Sequence, residues 1–238
     1  MTVEEGVGKL SIVATPIGNL GDLTFRALWN LKEATVIYAE DTRVISKLLT
    51  HYGLRKSVFR LDAATEGKKA KEIEDRLQAG EHVVFVSDAG TPGVSDPGAR
   101  LVASIRENVP DAKIDAIPGP SALTAALSIA GIDATAFVFL GFPPHKKGRQ
   151  TFVKNIAKSK IPVVLYESPH RILKLLAELE KEVPKCRVTI GRELTKLHEE
   201  VLTGTPAQLA KDLEKRKAAR GEFVVILEND HERFAARK

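Results

Sequence analysis

Short apolar runs, rich in β-branched side chains, recur along the chain and alternate with stretches whose apolar positions fall at helical spacing. The strand-like runs are residues 10–14, 36–39, 83–86, 113–117, 137–140, 162–166, 187–190 and 223–227. Between them, Ile172, Leu175, Leu176, Leu179 and Val183 repeat with the period of one helix face. The Ser168-Pro169 pair before them predicts an N-cap serine with proline in the first turn. Thr205-Pro206 opens a helix in the same way, and residues 121–130 read as another, stopped by Gly131. Such alternation predicts α/β layers.

One loop stands out against this pattern. Residues 87–98, SDAGTPGVSDPG, follow directly on the apolar run 83–86 and hold three glycines, two prolines and two aspartates. Loops at the carboxyl ends of strands in open α/β sheets gather backbone N–H groups and small side chains around a crevice, so this loop is the expected centre of a binding site. The stiffest tetrapeptide is Ile117-Pro118-Gly119-Pro120, through which neither a helix nor a central strand can pass. It predicts two α/β domains, 1–117 and 118–238, with a cleft between them. The tail after Glu228 is polar and expected to fray.

Charge sharpens the picture once it is divided along the chain. The net charge is +5, yet residues 1–133 carry −3, residues 134–166 carry six cations and no acid, and residues 167–238 carry +2. Within the basic segment His145, Lys146, Lys147, Gly148, Arg149, Lys154, Lys158 and Lys160 read as a glycine-containing loop running into a helix. Such a patch either neutralises nucleic-acid phosphates or forms a solvated helix face. A lone cysteine, Cys186, excludes an internal disulfide, no apolar run approaches the ~20 residues of a bilayer span, and the acidic start MTVEEGVGKL has no signal-peptide core. A cytosolic protein is expected.

Several chemistries fail on inspection. No strand leads into the three spaced glycines of a dinucleotide fingerprint, and the phosphate-loop signature is absent because Gly148 follows Lys147. Ser121 lacks the second glycine of a nucleophile elbow and reads as a helix cap. The six histidines show no metal-ligand spacing, so no metal is called for.

The glycine- and proline-bearing segments nevertheless form a set: ATPIGNLGDLTFRAL at 14–28, AEDTR at 39–43, VSDAGTPGVSDPG at 86–98, PGPSAL at 118–123, GFPP at 141–144, YESPHRIL at 166–173, GRELTK at 191–196 and GEFVVIL at 221–227. In this order they resemble the ribosomal RNA small-subunit methyltransferase I family of the tetrapyrrole methylase superfamily, across nearly the whole chain. The resemblance implies a two-domain, tetrapyrrole methylase-like α/β enzyme, homodimeric, that binds S-adenosylmethionine in its interdomain cleft. The implied substrate is the ribose 2′-hydroxyl of a cytidine in the decoding region of small-subunit RNA. The resemblance also places the cofactor against Pro16, against Asp88, Ala89, Gly90 and Thr91, and against Ser121 and Ala122, with Tyr166 and the Leu194 region closing over it. One segment departs: relatives commonly carry His-Asn-Glu where this chain has Ala64-Thr65-Glu66.

Methyl transfer from a sulfonium to an oxygen is an in-line displacement governed by positioning, and a ribose hydroxyl needs a proton acceptor nearby. Glu40 and Asp41, beside Arg43, either accept that proton and hold the ribose or form a loop salt bridge. Asp88 reads as an acceptor of loop or cofactor hydrogen bonds, and Asp96 as the cap of a helix starting near Gly98. In YESPHR, Glu167 and Arg171 stand four apart and so form an ion pair across a first helical turn, or Arg171 holds a phosphate while His170 relays a proton. Arg192, Glu193 and Lys196 divide between an ion-pair network and substrate contact. Lys146, Lys147, Arg149 and Lys154 are the expected RNA contacts. Two other readings compete: a small-molecule methyltransferase of the same fold, which leaves the basic segment unexplained, and a ribosome-assembly factor that binds RNA without catalysis.

Overall fold

A helix between each pair of consecutive strands forces parallel pairing in the first half of the chain. Five strands, β1 (Lys9–Val13), β2 (Val36–Ala39), β3 (Val58–Arg60), β4 (His82–Val86) and β5 (Lys113–Ile117), alternate with α1 (Phe25–Glu33), α2 (Thr42–His51), α3 (Glu66–Gln78) and α4 (Ala99–Asn108). All pair in parallel in the order β3-β2-β4-β1-β5, with Leu10 level with Val83 and Tyr38 level with Phe85. The computed structural model describes residues 6–229, and the chain divides into two compact units between Ser121 and Ala122. Residues 1–5 and 230–238, with most of the acidic start and nearly all of the polar tail, lie outside the described residues. Asn229, the first residue expected to fray, is anchored by its Nδ2, which donates to the carbonyls of Ile156 (2.8 Å) and Ser159 (3.0 Å).

Successive strand residues point to opposite faces, so the sheet of this first unit builds two cores. Leu10, Tyr38, Val83 and Phe85 pack with Ile73 and Leu77 of α3 and Leu101 and Ile105 of α4. Val13, Ile37, Val84 and Val86 pack with Ala27 and Leu31 of α1 and Ile45 and Leu48 of α2. The chain therefore leaves β2 toward one face and its neighbour β4 toward the other. Such a switch opens a crevice at the carboxyl ends of the two strands.

The second unit contains α5 (Ala122–Ile129), β6 (Val138–Phe139), α6 (Arg149–Ile156), β7 (Val163–Glu167), α7 (Ile172–Glu182), β8 (Arg187–Arg192), β9 (Glu200–Gly204), α8 (Pro206–Lys215) and β10 (Phe223–Glu228). Its sheet runs β6-β7-β10-β8-β9, with only β6 and β7 parallel among these pairings. Leu165, Ile190 and Val225 meet Leu175 and Leu179 of α7 and Leu209 and Leu213 of α8 in one core that also buries Cys186.

Thr205 caps α8 as expected, in a full capping box with Gln208. Ser168 does not cap α7. The helix begins only at Ile172, because Ser168 is used otherwise: its N–H donates to Glu167 Oε1 (2.8 Å) and its hydroxyl accepts from Arg171 Nε (3.1 Å). Residues 169–171 form a turn instead. Strands β3 and β9, absent from the hydropathy pattern, are both sheet edges.

Candidate cofactor-binding site

The loops at the carboxyl ends of the first unit's strands are tied to one another by backbone. Thr15 and Gly90 exchange two hydrogen bonds, Thr15 N–H to the Gly90 carbonyl at 2.9 Å and Gly90 N–H to the Thr15 carbonyl at 3.0 Å, which couples the loop after β1 to the loop after β4. Thr91 then donates its hydroxyl to the Pro120 carbonyl (3.3 Å), which draws in the segment after β5. Gly90 has φ +80°, a conformation glycine adopts without strain, and a Cβ there would stand 3.4 Å from Ile17. Pro118–Pro120 belong to the first unit for the same reason: a Cβ on Gly119 would come within 3.0 Å of the Ala14 methyl. Pro16 is half-buried beside this knot, whereas Asp88 and Ala89 are exposed on its surface.

Carboxylates collect at the same strand ends. Asp88 accepts the Asp41 N–H (2.8 Å), the role expected of it. Asp41 caps α2, accepting the Arg43 N–H at 2.8 Å, and its carboxylate is gripped by the Arg43 guanidinium. That grip holds Asp41 well below the usual carboxylate range. Of the two readings of this pair, the loop salt bridge is the one observed, on a surface where the Arg43 side chain is 86% exposed. Glu40 behaves oppositely: burial, then the charge of Asp88, raise its pKa. Asp96 is pushed up to about 6 by burial and by Glu40 and Asp88, while Ser87 opposes the shift with a hydrogen bond.

Asp96 is not the helix cap. The N-terminus of α4 is satisfied from a distance by Glu66, whose Oε1 accepts the N–H groups of Gly98 (3.0 Å) and Leu101 (2.9 Å). Gly98 itself makes no side-chain cap and must be glycine, since its φ is +127° and a Cβ would lie 2.8 Å from the Phe85 ring. Glu66 is 4% exposed, and it is the one residue this chain keeps of the family's His-Asn-Glu segment. Its part is to end the 87–98 loop at a fixed place, a role the sequence did not reveal. With Glu66 as the cap, the Asp96 side chain is left beside Ser87.

In the second unit the basic segment separates into two kinds of residue. Lys146, Lys147, Lys154, Lys158 and Lys160 are exposed. Arg149 is only 3% exposed: its Nε donates to Glu178 (2.8 and 3.0 Å), its Nη1 donates to the Pro144 carbonyl (3.1 Å), and its Nη2 stands 3.6 Å from Glu167. It is a buried ion-pair partner, and the expectation of an RNA contact at Arg149 is corrected on that ground. Arg171 is likewise engaged, with Glu167 at 2.9 Å, the Ser168 hydroxyl and the Pro143 carbonyl at 3.0 Å. The ion pair, not a free phosphate clamp, is what the structure shows, and the two arginines clip consecutive carbonyls of the GFPP segment. His170 is exposed in the turn.

Tyr166, at the end of β7, packs edge-on against Phe139 (4.9 Å) and Phe142 (5.6 Å). Leu194 is buried against Gly191, where a Cβ would meet its methyl groups at 3.2 Å. The neighbouring turn is strained, with positive φ at Glu193 (50°) and Thr195 (65°). Glu193 holds it by accepting from Lys196 Nζ and from the Glu222 N–H, both 2.9 Å. Arg192 pairs with Glu200 (2.8 Å), so the GRELTK charges form the ion-pair network. Among the described residues no group of three or more His, Cys, Asp or Glu side chains is arranged to hold a metal, and no helix is long and apolar enough to cross a membrane.

The sequence family described as Tetrapyrrole (Corrin/Porphyrin) Methylases matches residues 9–210. A protein of Thermotoga maritima named ribosomal RNA small subunit methyltransferase I is 41% identical over 93% of this chain and 98% of its own. One of the same name from Borrelia garinii subsp. bavariensis is 44% identical over 92% and 97%. The chain belongs to the ribosomal RNA small subunit methyltransferase I family of tetrapyrrole methylases. This methylase is thus a methyltransferase, of a family that takes its methyl group from S-adenosylmethionine. In fold it is similar to the uroporphyrin-III C-methyltransferase of Thermus thermophilus solved with S-adenosyl homocysteine, with TM-score 0.63 and 18% identity over 93% of this chain and 97% of that one.

Proposed function

We propose that the protein transfers the methyl group of S-adenosylmethionine to the ribose 2′-hydroxyl of a cytidine in small-subunit ribosomal RNA, acting as a cytoplasmic homodimer. The observation that carries the substrate class is the 41–44% identity, over nearly the full length of both chains, to relatives named for that RNA. The exposed, acid-free lysines 146, 147, 154, 158 and 160 support it, since a small-molecule substrate has no use for them.

The strand-end loops suit the cofactor by their chemistry. A sulfonium carrying an α-ammonium group is a cation, and Glu40, Asp88 and Asp96 supply negative charge crowded enough to raise two of their own pKa values. The Thr15–Gly90 staple leaves Asp88 and Ala89 exposed and Thr91 half-buried on a fixed backbone, and with Pro16 and Ser121 these are the proposed contacts of the first unit. Ala122, Tyr166 and Leu194 keep, as proposals, the contacts the resemblance gives them. When bound, the cofactor supplies an electrophilic methyl group.

The chain's own residues must position the hydroxyl and take its proton. Asp41, held ionised by Arg43, is a weak base, whereas Glu40 and Asp96 have raised pKa values and are the better acceptors. The test is incubation with labelled S-adenosylmethionine and small subunits, or their RNA, from cells lacking the modification, followed by mapping of ribose methylation. Label at a cytidine 2′-oxygen is expected. Calorimetry showing no cofactor binding would favour a non-catalytic RNA-binding factor, and transfer to a tetrapyrrole with none to RNA would favour the small-molecule enzyme.

A further inference from the structure

The two most exposed aromatic side chains of the first unit stand one turn apart on the same helix. Phe25 is 92% exposed and Trp29 61% exposed, at positions i and i+4 of α1, so their rings share one face. Exposed rings of this size cost solvation and need a use. Their neighbours are cations: Arg26 is exposed beside Phe25, and the Lys32 ammonium lies 5.6 Å from the centre of the Trp29 ring. The adjoining helix on the same sheet face, α2, adds exposed Arg43 and Lys47 and contains no acidic residue. Residues 1–133 carry a net charge of −3, yet these two helices carry four arginines and lysines against the single acid Glu33.

We infer that this face of α1 is a stacking platform for unpaired nucleotides, with Phe25 and Trp29 receiving bases and Arg26 and Lys32 meeting the flanking phosphates. Aromatic rings interleaved with cations are the chemistry that binds single-stranded RNA without reading its sequence. Charge argues against a second copy of the chain as the occupant. A twofold interface centred here would set Arg26 and Lys32 against their own counterparts. The helix also begins directly after the loop that carries Pro16, so its aromatic end lies at the carboxyl edge of the sheet, on the side of the candidate cofactor loops. The inference rests on RNA being the substrate and adds a second contact surface to the lysines of the other unit.

Trp29 is the chain's one tryptophan, which makes the test direct. The full-length protein is titrated with a twelve-nucleotide oligoadenylate while tryptophan emission is followed at low and moderate salt, and Phe25→Ala, Phe25→Tyr and Arg26→Ala/Lys32→Ala variants are compared. Quenching that weakens with salt is expected. Phe25→Ala should bind roughly fivefold or more weakly, Phe25→Tyr as wild type, and the double variant with a shallower salt dependence. Absence of quenching, or undiminished binding by Phe25→Ala, overturns the inference. So does emission that changes with protein concentration alone and tracks a dimer lost on Phe25→Ala, since the face then belongs to self-association. Methylation of small-subunit RNA by the same variants separates the two readings: no methylation by wild type removes the proposed function, whereas normal methylation with no quenching removes only the platform.

Discussion

Glu66 and Gly98 stand 32 positions apart, yet the carboxylate of one accepts the N–H of the other at 3.0 Å and closes the amino end of α4. The contact fixes where the 87–98 loop must end, because the same oxygen takes the Leu101 N–H one turn further on. Removing it leaves two buried N–H groups without partners. Glu66→Ala should lower stability by about 2 kcal/mol, and Glu66→Gln, which keeps an accepting oxygen, by less. Urea denaturation of the three proteins checks the order.

The raised pKa of Asp96 carries its own pH signature. A carboxyl whose folded pKa is about 6, above the ordinary value near 3.9, is held protonated by folding, so its contribution is present in acid and lost as pH climbs through 6. Asp96→Asn should therefore be more stable than wild type at pH 8, by on the order of 1 kcal/mol once solvent screening is allowed for, with the gap closing by pH 4. Thermal denaturation across that range, without cofactor, decides it. A gap independent of pH would show that burial, and not ionisation, is at work.

Lys147 and Arg149, two residues apart, should fail in different ways. Lys147→Ala leaves stability unchanged, weakens RNA binding and reduces the slope of its salt dependence by about one ion. Arg149→Ala strips the partner from Glu167, which is buried, and from Glu178, and should cost about 3 kcal/mol of stability. Filter binding at three salt concentrations, paired with denaturation, separates the two classes.

Gly221 is required by Glu193. It has φ +89°, and a Cβ would fall 2.5 Å from the Glu193 Oε1 that holds the strained turn beside Leu194. Gly221→Ala should push that carboxylate away, and proteolysis near residues 193–199 should quicken; Glu193→Gln, which keeps the accepting oxygen, should resist cleavage better than Gly221→Ala.

The alternation of strands and helices was legible because buried strands such as residues 36–39 and 83–86 are apolar on both faces. The short edges β3 and β9 were not, since an edge strand exposes half of its residues and its hydropathy resembles a loop. The glycine loop announced the site correctly in kind through residues 87–98. What stayed hidden were pairings distant in sequence: Glu66 with Gly98, Arg149 with Glu178, Thr15 with Gly90. Spacing reveals partners three or four residues apart, as with Glu167 and Arg171, but nothing in the string tells a solvated arginine from a buried one. The assignment of Asp96 as a cap failed for that reason, because a nearer candidate was preferred to one on another helix.

The order of strands in the second sheet bears on how the protein comes to be made. Phe223–Glu228 is the last strand in sequence but lies third of five in space, with Val225 level with Leu165 on one side and Ile190 on the other. During synthesis, therefore, the β6–β7 pair and the β8–β9 hairpin emerge first with facing edges open, and nothing joins them until translation is nearly complete. The first unit can fold behind the ribosome while the second waits on its keystone, a wait during which unpaired strand edges invite wrong partners. A ribosome stalled a few codons before Phe223 would release a chain with one sound half and one half that cannot close.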